Sequence, residues 1–376
     1  MALATLPRFL DPLRRMALAG LRTIPLGTWT AIAPKDVVAL CYHVVSDEDL
    51  PHQVLYAYKT RAQFTEDLKF AGARAISYDQ VAALRRGELQ LPPQRFLFTF
   101  DDGFVECSTV AWPLLRAHRV PGAFFVNVEF LDNRRRFFEA TISSLLHLVA
   151  GLEAGQAAEM LARLRGGDGG PSRCPKQRPD RARERLRAMR VRLPATEFHV
   201  ALAQRILGLE EDQEAELARA GEVLGLSECE ERARAIFMTT DQVRKMAAEG
   251  ATIGSHGFSH APMQGLEHKE IERIIAGSCA AIRDLTGQRR VPFAFPYSAN
   301  GIDRGLLADI RTRNPFVDLY FDTEAFHRDA SFVVQRVAAD APPAPGRSGS
   351  NLPAILRGTW SRRSAWYREG VVKASP

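Results

Sequence analysis

The sequence has no long apolar run: nowhere does it reach the roughly 20 uncharged apolar residues that a bilayer crossing needs, so a membrane-spanning helix is excluded. Cysteine is scarce. The five residues Cys41, Cys107, Cys174, Cys229 and Cys279 stand singly, with no CxxC pair. That gives little support to a disulfide framework and mildly favours a reducing compartment. No internal repeat is visible. The net charge is only +6 over 376 residues, with 46% hydrophobic residues, which excludes disorder for most of the chain. What remains is an ordinary soluble composition, long enough for one large α/β domain with an insertion or for two domains.

The first residues also lack something. Residues 1–35 are interrupted by Arg8, Asp11, Arg14, Arg15 and Arg22, so they have no clean apolar core of the secretory kind. They are read as a basic amphipathic segment that packs on the body of the protein, with a resting place at a membrane surface as the alternative.

From about residue 36 to 140, and again from 236 to 340, short β-rich runs alternate with helical patterns. Val37–Cys41, Phe96–Phe100 and Ala123–Val128 are near-continuous apolar runs, as strands buried on both faces of a parallel sheet or barrel require. The later half repeats the rhythm with Thr252–Gly254, Pro292–Phe295, Val317–Phe321 and Phe332–Val337. Helices are expected over Arg61–Ala71 and Val110–His118. Thr239 with Gln242 reads as a capping box opening a further helix to Ala248, which Gly250 stops. Strands alternating with helices indicate α/β, as an open sheet or a closed barrel. Residues 140–235 break the rhythm with a Gly/Pro/Arg-rich piece and a glutamate-dense helical piece, and are read as a helical insertion carrying a flexible loop. Residues 341–376 form a C-terminal tail, in which Trp360 and Trp366 either pack the chain end down or line a sugar site.

Two strings carry candidate chemistry. In FLFTFDDGF, residues 96–104, an apolar strand ends in Asp101, Asp102 and Gly103, which places two carboxylates where α/β proteins build their sites. The plain alternative is a turn that ends a strand. In TIGSHGFSH, residues 252–260, His256 and His260 stand four apart. That spacing predicts two imidazoles on one face of a helical turn, suited to a divalent metal. Together, two histidines and one aspartate make a three-ligand site with open positions, and the other carboxylate is left to take a proton from water.

These strings, followed by FAFPYS at 293–298 and preceded by CYHVV at 41–45, resemble the polysaccharide deacetylases, carbohydrate esterase family 4. The resemblance covers about residues 36–140 and 236–340. It implies an irregular (β/α) barrel of the polysaccharide deacetylase type and metal-dependent hydrolysis of N-acetyl groups on sugars. By position it makes Asp101 the general base, and Asp102, His256 and His260 the ligands of a divalent metal, zinc first. Tyr297 would lend its backbone N–H to the oxyanion, and its neighbour Pro296 would line the substrate site. Many members have an arginine paired with the base where this chain has Ala294; Arg336, inside the apolar strand FVVQRV, is read as supplying that charge, against the alternative of a solvent-facing edge residue. The late Leu-x-His motif that gives many members a general acid is missing, since His327 does not match it. His43, after the first strand, is assigned to substrate binding or support of the site, with a buried histidine bonded to the backbone as the alternative. His52, His118, His147, His199 and His268 are read as surface or helix residues.

The expected substrate is an N-acetylated sugar in a bacterial polysaccharide or lipid-linked glycan precursor. The alternatives are an O-acetyl esterase, a deformylase or cyclic amidase using the same site, and a glycan-binding protein that has lost catalysis. Nucleic acid is not an expected partner, because the aromatics lie in strand runs rather than interleaved with a basic face. The sequence pI near 9.2 comes from one segment: Arg163–Arg192 holds ten Arg and one Lys against three acids, leaving the rest of the chain slightly acidic. That segment is read as a solvated loop or as a contact for anionic lipid or an anionic glycan carrier. The expected compartment is the cytoplasm, with peripheral contact at the inner membrane and export as variants.

Overall fold

The computed structural model describes residues 37–165, 193–194, 196–209, 213–226, 235–325, 329–343 and 349–359. The readings made for residues 1–35, for most of Arg163–Arg192, and for Cys174, Cys229, His327, Trp360 and Trp366 lie outside them.

Seven parallel strands close into a barrel in sequence order. They are β1 (Val38–Tyr42), β2 (Phe96–Phe100), β3 (Gly122–Val126), β4 (Thr252–Ser255), β5 (Val291–Ala294), β6 (Val317–Asp322) and β7 (Val333–Ala338). β7 pairs back onto β1, with Ala39 opposite Arg336. The expected (β/α) barrel is therefore present. Each apolar run in the sequence became a strand because residues facing into the barrel and residues facing its helices are both removed from water. Ala39, Leu97, Ala123, Phe125, Ala294, Leu319, Phe321 and Val334 belong to one buried cluster, while the alternating Leu40, Phe98, Phe124, Ile253 and Phe293 belong to another. Gly254 is needed in this packing: a Cβ there would lie 2.4 Å from the Phe125 ring.

Helices follow the strands: α1 (Arg61–Ala71), α2 (Tyr78–Arg85) and α3 (Trp112–Ala117) in the first half. The helices α4 (Phe138–Ala150), α5 (Ala154–Arg165), α6 (Glu197–Leu207) and α7 (Glu214–Leu224) come next, and α8 (Thr240–Ala248), α9 (His268–Thr286) and α10 (Arg304–Arg313) complete the second half. The capping box at α8 is formed as expected, the Gln242 N–H donating to Thr239 Oγ1 at 3.1 Å and the Thr239 N–H to Gln242 Oε1 at 2.8 Å. Gly250 ends that turn at φ +97°.

The chain divides into two compact units. One contains the barrel; the other comprises Asp47–Tyr58 and Asp132–Phe237. The second unit has its own core, in which Leu145, Leu146, Val149, Leu202 and Ile206 are buried. His199 lies in that unit, where α6 holds it buried rather than at the surface: its Nε2 is 2.9 Å from the Leu152 carbonyl and its Nδ1 2.6 Å from Thr196 Oγ1. His52 is likewise buried.

Candidate active site

The side-chain alternation of the strands determines what reaches the barrel's C-terminal end. On β2, Leu97 and Thr99 face inward, so Asp101 continues that face just past the strand. Asp102 would then point away. The chain instead enters the left-handed region at Asp102 (φ +68°) and Gly103 (φ +76°), and both carboxylates are buried at the same end. Gly103 is tight as well as twisted, since a Cβ there would meet the Val126 side chain at 3.0 Å.

The histidine pair corrects one expectation: it does not lie on a helical turn. His256 continues the inward face of β4, and an irregular loop with Gly257 at φ +82° and His260 at φ +59° folds the second ring back. The ring centroids end 5.1 Å apart. Asp102 Oδ1 lies 3.4 Å from His256 Nε2 and 3.3 Å from His260 Nε2. The three side chains offer ligand atoms all within 4.8 Å of one another.

The donor set suits a divalent cation by its own chemistry. Asp102 is 1% exposed, yet neither of its carboxylate oxygens accepts a hydrogen bond among the described residues. A buried carboxylate without hydrogen bonds is costly unless a cation meets it. The Nδ1–H of His256 donates to the Ala294 carbonyl at 2.8 Å, which turns the Nε2 lone pair toward Asp102. Burial pushes the His256 imidazolium down to about 4, against the pull of the Asp101 carboxylate, so the neutral ring that a metal requires is the resident form.

Asp101 is held differently. Arg336, fully buried on β7, grips it with both nitrogens, Nη1 to Oδ1 at 2.6 Å and Nη2 to Oδ2 at 2.7 Å. The Cys41 thiol donates to Oδ2 at 3.4 Å. Burial alone would raise this carboxyl, but the guanidinium outweighs it and holds the group well below the usual carboxylate range. Oδ2 also lies 3.9 Å from His256 Nε2, so the two acids border one space.

Tyr297 reaches φ +59° and is half exposed, its ring centroid 4.8 Å from that of His260. Pro296, the residue before it, is buried. His43 follows β1 and is held by a carboxylate: Nδ1 is 2.6 Å from Asp340 Oδ2, and the His43 N–H donates to Asp340 Oδ1 at 2.9 Å. Burial would lower the His43 imidazolium, but Asp340 pushes it up to about 9. Asp340 escaped the sequence reading, because an Asp ahead of two prolines looks like a strand terminator and its partner is 297 residues away.

The C-terminal end of the closed (β/α) barrel thus presents a carboxylate and two imidazoles that could hold a divalent cation, beside an arginine-bound second carboxylate. A family model described as polysaccharide deacetylase matches residues 218–311, the span that holds GSHGFSH and FAFPYS. The chain is thus similar to the polysaccharide deacetylases, as its motifs indicate. Similar solved structures include IcaB from Ammonifex degensii, at 15% identity and TM-score 0.47 over 88% of this chain and 98% of that one. The Streptococcus pyogenes deacetylase PplD, solved with acetate, gives 13% and 0.47 over 87% and 99%. A de-N-acetylase from Aggregatibacter actinomycetemcomitans gives 15% and 0.46 over 85% and 99%. No curated protein matches the chain.

Proposed function

We propose that this protein is a metal-dependent hydrolase that removes N-acetyl groups from a glycan. The observation that carries the reading is the contrast between adjacent buried acids: Asp101 gripped by Arg336, and the Asp102 carboxylate without a hydrogen bond among the described residues, facing two imidazole nitrogens. Asp102, His256 and His260 would hold a divalent ion, zinc first. When bound, such an ion polarises the acetyl carbonyl and acidifies water.

The rest falls to the chain's own residues. Asp101 accepts the proton of the attacking water at Oδ2, the oxygen nearer His256. A carboxylate held so low takes a proton only from water made more acidic than bulk, which ties its role to the metal site beside it. Arg336 keeps Asp101 ionised and fixed in plane. The Tyr297 backbone N–H donates to the oxygen that gains charge as the carbonyl carbon becomes tetrahedral. Pro296 stiffens that turn, and His43 faces the substrate side. Acetate and a free amine leave. The test is acetate release from N-acetylglucosamine oligomers, with O-acetyl and N-formyl sugars alongside, before and after chelation and metal return. Release that is abolished by chelator and restored by a divalent ion supports the reading; metal-independent release contradicts it.

A further inference from the structure

Asn127 follows β3 into the same end of the barrel, yet no step of the proposed reaction uses it. On that strand Ala123 and Phe125 face inward, so Asn127 continues the inward face, as Asp101 does on β2. The pairing with β4 sets Val126 opposite Ser255, and the His256 N–H donates to the Val126 carbonyl at 2.9 Å. Asn127 therefore stands opposite His256 with its side chain on the same face. It is 1% exposed.

A buried carboxamide has two edges to satisfy, an oxygen that accepts and a nitrogen that donates. The Asn127 Nδ2–H donates to the Asp102 backbone carbonyl at 3.4 Å, a long bond. Its Oδ1 is buried and accepts no hydrogen bond among the described residues. Asn351 shows how an amide that serves structure is treated in this fold: its Oδ1 accepts from Lys59 Nζ at 2.8 Å and its Nδ2 donates to the Ala341 carbonyl at 2.7 Å. A carbonyl can be met only by an amide's nitrogen edge, so the bond to Asp102 commits that edge of Asn127 and leaves the oxygen edge bare. This oxygen joins the two bare oxygens of the Asp102 carboxylate. Three such acceptors on two touching buried side chains are costly unless positive charge meets them.

Resting on the reading of Asp102, His256 and His260 as ligands of a divalent ion, we propose that Asn127 is a fourth side chain of that cation site, its Oδ1 meeting the ion's charge. A carbonyl oxygen is a hard donor of the kind divalent cations accept. Being neutral, it adds attraction without cancelling the positive charge that polarises a substrate carbonyl and acidifies water. The same amide reaches the backbone of Asp102, which sits at φ +68°, so one side chain serves both the ion and the turn that carries a ligand to it.

The experiment measures zinc affinity by competing a chromophoric chelator against the zinc-loaded full-length chain. Asn127→Leu removes both edges of the amide and should weaken zinc binding by about 10–100-fold. Asn127→Asp keeps an oxygen and adds charge, and should bind zinc at least as tightly as the wild type. A role confined to holding the Asp102 carbonyl requires the opposite of that variant, because an ionised carboxylate has no hydrogen to donate there. The rise in Tm on adding zinc gives a second reading: it should be large in the wild type and in Asn127→Asp and small in Asn127→Leu. Asn127→Asp decides alone if Asn127→Leu does not fold. Zinc binding unchanged in Asn127→Leu, or weaker than wild type in Asn127→Asp, would overturn the proposal. A wild type that binds zinc but releases no acetate would overturn the deacetylase reading and leave this inference standing. A wild type that binds no zinc would overturn the ligand assignment, and this inference with it.

Discussion

Two buried aspartates at opposite ends of the barrel show how differently one fold treats the same side chain. Asp318, near the start of β6, accepts a hydrogen bond from the Tyr78 hydroxyl at 2.7 Å and has Arg86, Arg290 and Arg311 at 3.8–3.9 Å. Asp102, past the end of β2, is as deeply buried, and its carboxylate accepts no hydrogen bond among the described residues. Three candidate site residues at that same end, Asp102, His260 and Tyr297, also sit at positive φ without being glycine, a conformation that costs about 1–3 kcal/mol each. Satisfied charge at the N-terminal end makes structure; an unpaired carboxylate and positive-φ backbone at the other end mark the candidate site.

The contrast can be broken most severely at the C-terminal end. Asp101→Asn should leave metal content intact and cut deacetylation by about 10²–10⁴-fold, the usual worth of a general base. His256→Ala should lose both metal and turnover, read by metal analysis and acetate release on the same samples. Arg336→Met tests the arginine grip: it strands a buried carboxylate, which should cost about 3–5 kcal/mol in denaturant unfolding. Adding Asp101→Asn to that variant should return much of the loss, because the stranded charge is gone. At the opposite end, Asp318→Asn should cost about 1–3 kcal/mol of stability yet change neither metal content nor turnover.

The smallest effect concerns His43 and Asp340. The folded pKa of about 9 lies above the ordinary histidine value of 6.5, so the pair stabilises the fold fully below about pH 6.5 and loses that contribution as pH rises through about 9. The gap in Tm between wild type and Asp340→Asn should therefore be widest at low pH and close above pH 9. A gap that widens with pH would reverse the sign of the argument.

Much of the barrel was legible because burial on both faces leaves an unmistakable apolar run, as in FLFTF and GAFFV. Helix α8 was legible to the residue because a capping box is a local device. The segment 47–58, which joins the helical unit, carries no such pattern; its place is fixed by packing against residues 80 and more positions away. The site shows the same division. Asp101, Asp102, His256 and His260 could be named from short strings, and Arg336 from the oddity of an arginine inside a strand. The helical face expected for His256 and His260 was wrong because two positive φ values bring the rings together instead. Asp340 could not be found, since its meaning exists only once β7 closes against β1.

Divalent-ion stoichiometry measured together with acetate release, on wild type and on Asp102→Asn, probes the contrast at its root. One ion per chain in the wild type, lost along with deacetylation when the bare carboxylate is neutralised, is the expected result. A wild type that releases acetate with no bound ion, or an Asp102→Asn variant that keeps both ion and turnover, would contradict it.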